Sequence, residues 1–510
     1  MNYLELLNGC KKYIDQEPRD FIYKIATRIV EQFWPDSSQV SEGIATFLLS
    51  WNIGYYRYGS LDVDKLQNYI QKWHRELESY RGKYIMGLTE EDEDRVKEIF
   101  RDFEIATRRV GRRQAKAPVS AAKALHLLAP NFFPLWDNAI AKAYDCGKMN
   151  QEDYIRFMRK MREQIQEVLK SYIEKHGGKE DEAIRAIWDL YPHKIPEKEG
   201  KLLKLIDEYN YAKYTIPCLK ISQRLREYPN IKKLFKEQYF HDQILNKKEE
   251  EWHPLVHLLL KQNPDYTEIE KLITRLKESE DRFEKITLGL KIEYIRYSDN
   301  ILNHLENCLG DLIGKKGLEK LVQNLKNANE FWSYLSEVEV AANLKEVGEI
   351  EIEPRFPDAK IPDLRVKIDE KWVYFEIVTP RLPKVLEEAK GKVISIPPRA
   401  RRILLREFDN HFKEAQQKGY IPPEAPIVII VNKGLSELYE SNFEDSLSLD
   451  EISIIEPEIT SISAIITYNR EMFGESMRLK GEIMRNPLET NKLTKKDVEL
   501  IMRSLFKDHG

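Results

Sequence analysis

Three carboxylates in this chain are spaced for metal chemistry. In "IPDLRVKIDEKWVYFEIVTP", residues 361–380, Asp363 follows a proline, and after twelve residues Glu376 stands between Phe375 and Ile377. A carboxylate buried without a partner is costly, so a glutamate between two large apolar residues needs a reason. Glu337 lies upstream in "NEFWSYLSEVEVAANLKEVG". Converging carboxylates bind a hard divalent cation, Mg²⁺ or Mn²⁺, through oxygen. Such an ion lowers the pKa of a bound water and stabilises charge developing on a phosphate. The plainer alternative is three solvated groups, and the Pro-Asp dipeptide recurs at Pro357-Asp358.

The elements that must position these residues follow from periodicity. "IEIEPRF", "DLRVKI", "KWVYFEIV", "APIVIIVNKG" and "SAIITY" have strand composition. "APIVIIVNKG" is apolar enough to be a central strand buried on both faces. In "KWVYFEIV", alternation puts Val373, Phe375 and Ile377 on one face and Trp372, Tyr374, Glu376 and Val378 on the other. A helix is expected before these strands and another over about 400–418. A hairpin of the second and third strands brings Asp363 near Glu376. The order of helix, three strands, helix and further strands predicts an α/β domain with a mixed sheet over 329–510. Residues 1–178 and 179–328 read as two helical regions, the first closing at Gly177-Gly178. The fold class is thus multidomain, with all-α N-terminal and middle regions and a C-terminal α/β domain.

"PD", twelve residues, then "EIV", preceded by "EVEVAANLKEVG", resembles the PD-(D/E)XK nuclease superfamily, whose fold is restriction-endonuclease-like. Glu337, Val340, Ala341, Leu344 and Gly348 fit the pattern of its first helix. The resemblance covers about residues 330–470. It implies Mg²⁺-dependent phosphodiester hydrolysis, with Glu337, Asp363 and Glu376 holding the metal. The family's lysine position is Val378 here. Lys371 on the same strand, Lys384 beyond it, or Arg402 on the next helix could supply the cation; without one the site is catalytically dead. Arg399, Arg401 and Arg402 in "PPRARRILLRE" are expected to track a nucleic-acid backbone.

A second stretch is "TRRVGRRQAKAPVSAAKALHLLAPNFFPLWDNAIAKAYD". Arg108, Arg109, Arg112, Arg113 and Lys116 come without an acid among them, and such a cluster can hold phosphates without reading sequence; a solvated basic loop is the alternative. The part from "SAAKALHLL" onward resembles the helix-hairpin-helix DNA glycosylase superfamily, in which Lys123 and Asp137 would match the lysine and aspartate positions. The Gly-rich hairpin of that family is missing. Lys123 is therefore expected as a surface helix lysine, and Asp137 as the N-cap of "NAIAKAYD". In "WHPLVHLLL", Pro254 marks a helix start, so His253 and His257 read as helix-start and helix-face residues. Trp51, Tyr55 and Tyr56 read as packing residues.

The 510 residues are 42% hydrophobic and 33% charged, as in a globular protein with several cores. Cys10, Cys146, Cys218 and Cys308 form no CxxC pair, so neither a zinc site nor a disulfide framework is expected. The net charge of −4 gives no global push toward nucleic acid. No membrane span or signal peptide is expected, and the reading is of a cytoplasmic protein. The expected function is a Mg²⁺-dependent nuclease acting on DNA, in repair or defence. Two alternatives stay open: an inactive nucleic-acid-binding protein of the same fold, and a DNA glycosylase with an accessory nuclease-like domain.

Overall fold

The computed structural model describes residues 1–111, 115–191, 201–261, 266–278, 297–354, 362–378, 398–435, 461–473, 476–486 and 493–506. The chain divides into two compact units. The first is Met1–Leu219 with Ile244–Lys247, and the second is Lys220–Gln243 with Lys248–Gly510. The described residues are mostly helical. No described helix is long and apolar enough to cross a membrane.

The first unit is a helical bundle around one core, with starts and stops set by local chemistry. Asn2 and Glu5 form a capping box on Tyr3–Gln16, as Thr89 and Asp92 do on Glu90–Ala106. Gly177 takes φ 73° at the end of Gln151–His176, a left-handed conformation that suits glycine. The glycines end the helix as expected, but they do not end the domain. Glu180–Leu190 and Leu202–Asn210 place Ile184, Ile187, Leu203, Leu205 and Ile206 in the same core as Leu6, Cys10 and Val168. An amphipathic helix cannot bury its apolar stripe alone, so the boundary expected at residue 178 moves to Leu219. Nor is 179–328 one separate piece. Most of it from residue 220 on belongs to the second unit, where Glu306 on Ser298–Leu312 accepts the backbone N–H groups of Asn230 and Ile231 at 2.8 and 2.9 Å.

A short ribbon interrupts the first unit: β1 (Ser60–Leu61) pairs antiparallel with β2 (Arg109–Val110). The second unit carries the expected mixed sheet, now with six strands: β3 (Glu349–Ile352), β4 (Leu364–Ile368), β5 (Lys371–Val378), β6 (Ile427–Leu435), β7 (Ala464–Phe473) and β8 (Ser476–Arg485). They lie in sequence order. β5, β6 and β7 run parallel to one another, and the other pairs are antiparallel. Ile427, Val428, Ile429 and Ile430 of β6 are all buried, as expected for a central strand. Each such side chain contributes about 1.5–3 kcal/mol.

Both faces of the sheet are covered. On one, Tyr374 and Ile427 pack against Phe412 and Ala415 of the Pro398–Gln417 helix. On the other lies Phe331–Leu344. Its Glu339, fully buried, takes Arg470 of β7 through two bonds of 2.7 and 2.9 Å. Tyr468 and His304 also reach Glu339, and Asn432 and Arg470 donate to Ser336. Burial alone would raise the Glu339 pKa, but Arg470 and His304 outweigh it and hold the carboxyl down at about 2. This clamp fixes the rotation of the helix that carries Glu337. Arg470→Met strands a buried charge, and should cost about 3–5 kcal/mol in urea unfolding. Adding Glu339→Leu should recover part of that loss; an unchanged midpoint in Arg470→Met would contradict the clamp.

Candidate functional site

Glu337 is two residues before Glu339 on the same helix. At about 100° per residue, it projects away from the Arg470 clamp. It is buried, and its Oε2 has no hydrogen-bond partner. Asp363 sits just before β4. The register that pairs Leu364 with Phe375 sets Asp363 across from Glu376. Its Oδ2 accepts the Ile377 N–H at 2.6 Å, and its backbone O accepts the Glu353 N–H at 2.7 Å. Glu376 is half-buried on β5. It shares its face with Tyr374 and Val378, as alternation predicted, and both of these pack under the Pro398–Gln417 helix.

The three expected acids share one electrostatic neighbourhood with a fourth, Glu353. Burial, and then Asp363, Glu353, Glu376 and Glu330, push the Glu337 carboxyl up to about 10. Burial also drives Asp363 up to about 7, with Glu353 adding to it and the Ile377 N–H opposing. Glu353 directly follows β3, at φ 44°. Lys320 and Asn324 of the Leu318–Leu325 helix hold its two carboxylate oxygens. Sequence reasoning missed Glu353, whose position after a short strand carries no pattern.

The donor set is all oxygen and includes a buried, unpartnered carboxylate oxygen, which fits a hard cation such as Mg²⁺ or Mn²⁺. Among the described residues, however, no three His, Cys, Asp or Glu side chains are arranged closely enough to hold a metal ion. The carboxylates are neighbours rather than an assembled ligand cage.

The cation expected beside Val378 is not Lys371. That residue is exposed, five residues from Glu376 and on the opposite face by alternation, roughly 17 Å along the strand. Lys384 and the side chains of Arg399, Arg401 and Arg402 lie outside the described residues. Lys320, through Glu353, is a described lysine tied to the acidic group.

The first unit holds a second constellation. Lys123, expected at the surface, is buried on Pro118–Leu128. Its Nζ donates to Asn52 Oδ1 at 2.6 Å and lies 5.3 Å from the Trp51 ring. Burial pulls its pKa down to about 8, against the pull of Asp137 and Asp207. Asp137 is the expected N-cap, accepting the Ile140 N–H at 2.9 Å, and its other oxygen takes the Thr215 hydroxyl at 2.7 Å. Thr215 closes a π-helical turn, Tyr211–Thr215, a geometry often found at functional sites. Nearby, the Lys204 Nζ lies 3.3 Å from Glu208, 3.6 Å from Asp207 and 3.8 Å from Asp20, over the rings of Tyr13 and Tyr23. Burial raises Asp207 to about 6 and Glu208 to about 7. The signal was in "LLKLIDEYN", where charges at i, i+3 and i+4 sit in a helix otherwise apolar.

The basic stretch is only partly exposed. Arg108 pairs with Glu104 at 3.5 Å, and Arg109 donates to the Tyr55 carbonyl at 2.9 Å. Lys116 is exposed, while Arg112 and Arg113 lie outside the described residues. His253 caps Pro254–Leu260 as a helix-start residue, its Nδ1 accepting the Leu255 N–H. Tyr55 and Tyr56 pack edge to face, as expected.

No protein-family model matches this chain, and it matches no curated protein or solved structure.

The raised pKa of Glu337 carries a pH dependence. The unfolded chain releases this proton near the ordinary glutamate value, while the folded chain keeps it to about pH 10. Stability in EDTA therefore falls as pH rises above about 4.5. Glu337→Gln should match wild type at pH 4 and exceed it by about 1–3 kcal/mol at pH 8, in urea unfolding. A variant no more stable at pH 8 than at pH 4, relative to wild type, would contradict the burial of an unpartnered carboxyl.

Proposed function

We propose that the C-terminal region, about 329–510, is a restriction-endonuclease-like nuclease that hydrolyses phosphodiester bonds of DNA with Mg²⁺ or Mn²⁺. The observation that supports this best is that Asp363 and Glu376, with Glu337 the acids the sequence singled out, act electrostatically on Glu337, whose buried Oε2 has no partner. Glu337, Asp363 and Glu376 would hold the ion. When bound, it supplies a Lewis acid that offsets negative charge developing on the phosphate. The sheet holds Asp363 by the Ile377 N–H, and the Arg470 clamp orients the Glu337 helix, so both donors are positioned before substrate arrives. Lys320, paired to Glu353, brings positive charge to the same group of acids. The test is nicking of plasmid DNA in Mg²⁺. Wild type should cleave, and EDTA or Asp363→Ala should lower the rate by a factor of about 100 or more. Equal cleavage by Asp363→Ala would overturn this assignment.

Lys123 favours a second reading, in which the first unit acts as a DNA glycosylase and the C-terminal region is accessory. A buried amine with a lowered pKa, within the electrostatic reach of Asp137, is equipped to attack a sugar carbonyl. Borohydride should then trap wild type, but not Lys123→Met, on DNA with an abasic site. Absence of trapping in wild type would eliminate this reading.

A further inference from the structure

We propose that the ribbon edge formed by Arg57–Ser60 and Arg109–Gly111 binds a single-stranded nucleic acid, with one base stacked on Tyr58. This rests on the reading of the chain as a nucleic-acid-acting protein, and it names the strand-holding surface of the first unit.

Tyr58 is 77% exposed, far more than an aromatic ring with only a packing role. Val110 is 50% exposed and Ile53 57%. Ser60 pairs with Val110, so the turn that carries Tyr58 leads straight into the ribbon beside Val110. The Arg57 guanidinium lies 5.5 Å from the Tyr58 ring, a cation beside an aromatic platform. Residues 52–60 and 105–118 contain no Asp or Glu. Arg57 and Lys116 are exposed there, and Arg108 and Arg109 half-buried. Arg108 is already paired with Glu104, so the exposed ring, its apolar neighbours and the exposed cations Arg57 and Lys116 are what match a single strand: a π-face for a base and positive charge for the backbone.

The edge is also rigid at its base. A Cβ on Gly59 would lie 2.4 Å from Arg109 Cγ and 2.5 Å from the Val110 O, so the turn closes directly onto β2 and carries Tyr58 outward. The hydroxyls of Tyr55 and Tyr56 donate to the carbonyls of Ala115 and Thr107, each at 2.7 Å. Such anchoring lowers the entropic cost of holding a ligand. The short helix behind the ribbon, Ile53–Tyr56, begins at Asn52, the residue that takes the Lys123 amine.

The experiment is fluorescence anisotropy with a labelled oligothymidine of about 15 nucleotides. EDTA is present so that binding is read apart from cleavage. Tyr58→Ala should weaken binding by about tenfold, with the salt dependence unchanged. Tyr58→Phe should bind like wild type, because the ring rather than the hydroxyl makes the stack. Arg57→Ala should lower the slope of log affinity against log salt by about 0.7. Wild-type binding with no loss in Tyr58→Ala overturns the ribbon assignment and leaves the nucleic-acid reading standing. Equal losses in Tyr58→Ala and Tyr58→Phe overturn the stacking. No binding by wild type overturns the ribbon and the reading it rests on.

Discussion

A buried carboxylate with an oxygen left unpartnered must keep its proton or acquire a cation, and Glu337 is in that position. Much of the C-terminal unit can be understood from this constraint. The Glu339–Arg470 pair fixes the helix, the hairpin register brings Asp363 opposite Glu376, and the Leu318–Leu325 helix holds Glu353 through Lys320 and Asn324. None of these contacts relieves Glu337. The acids they place near it raise its proton affinity. An unpartnered buried carboxyl costs stability.

The two units handle buried charge differently. In the C-terminal unit, among the described residues, Asp363, Glu353, Glu376 and Glu330 all act on Glu337 to raise its proton affinity. In the first unit, Lys123 and Lys204 are buried among Asp137, Asp207, Glu208 and Asp20, with the Trp51 ring near both amines and Tyr13 and Tyr23 against Lys204. There the opposite charges come from the chain itself. Burial still leaves Lys123 near pH 8 and Glu208 near pH 7, so both sit where protons exchange under ordinary conditions.

Much of this was legible in the sequence where a period repeats. β3 to β7 and the helices at 331–344 and 398–417 followed from alternation and amphipathic stripes. Alternation with a spacing of thirteen also paired Asp363 with Glu376. β8 was not seen because Gly481 interrupts the apolar row of Met477, Leu479 and Ile483. That glycine is needed where the chain meets β7: a Cβ would lie 2.1 Å from the Thr467 O. Lys123 was misplaced because "SAAKALHLL" was read through its charged member, when the apolar residues around the whole helix place every side being buried. Lys371 failed as the site cation for a geometric reason, since an odd number of residues along a strand reverses the face. Glu353 and Lys320 meet only through tertiary packing, which no local pattern encodes.

The most direct test of the central claim is calorimetric titration of Mn²⁺ into wild type and Glu337→Gln at pH 7.5, in two buffers of different ionisation enthalpy. Because Glu337 holds its proton in the protein without metal, binding to wild type should release that proton and give a buffer-dependent heat, with markedly weaker binding in the variant. No Mn²⁺ binding by wild type, or identical affinity and proton release in the variant, would contradict a metal site built on Glu337.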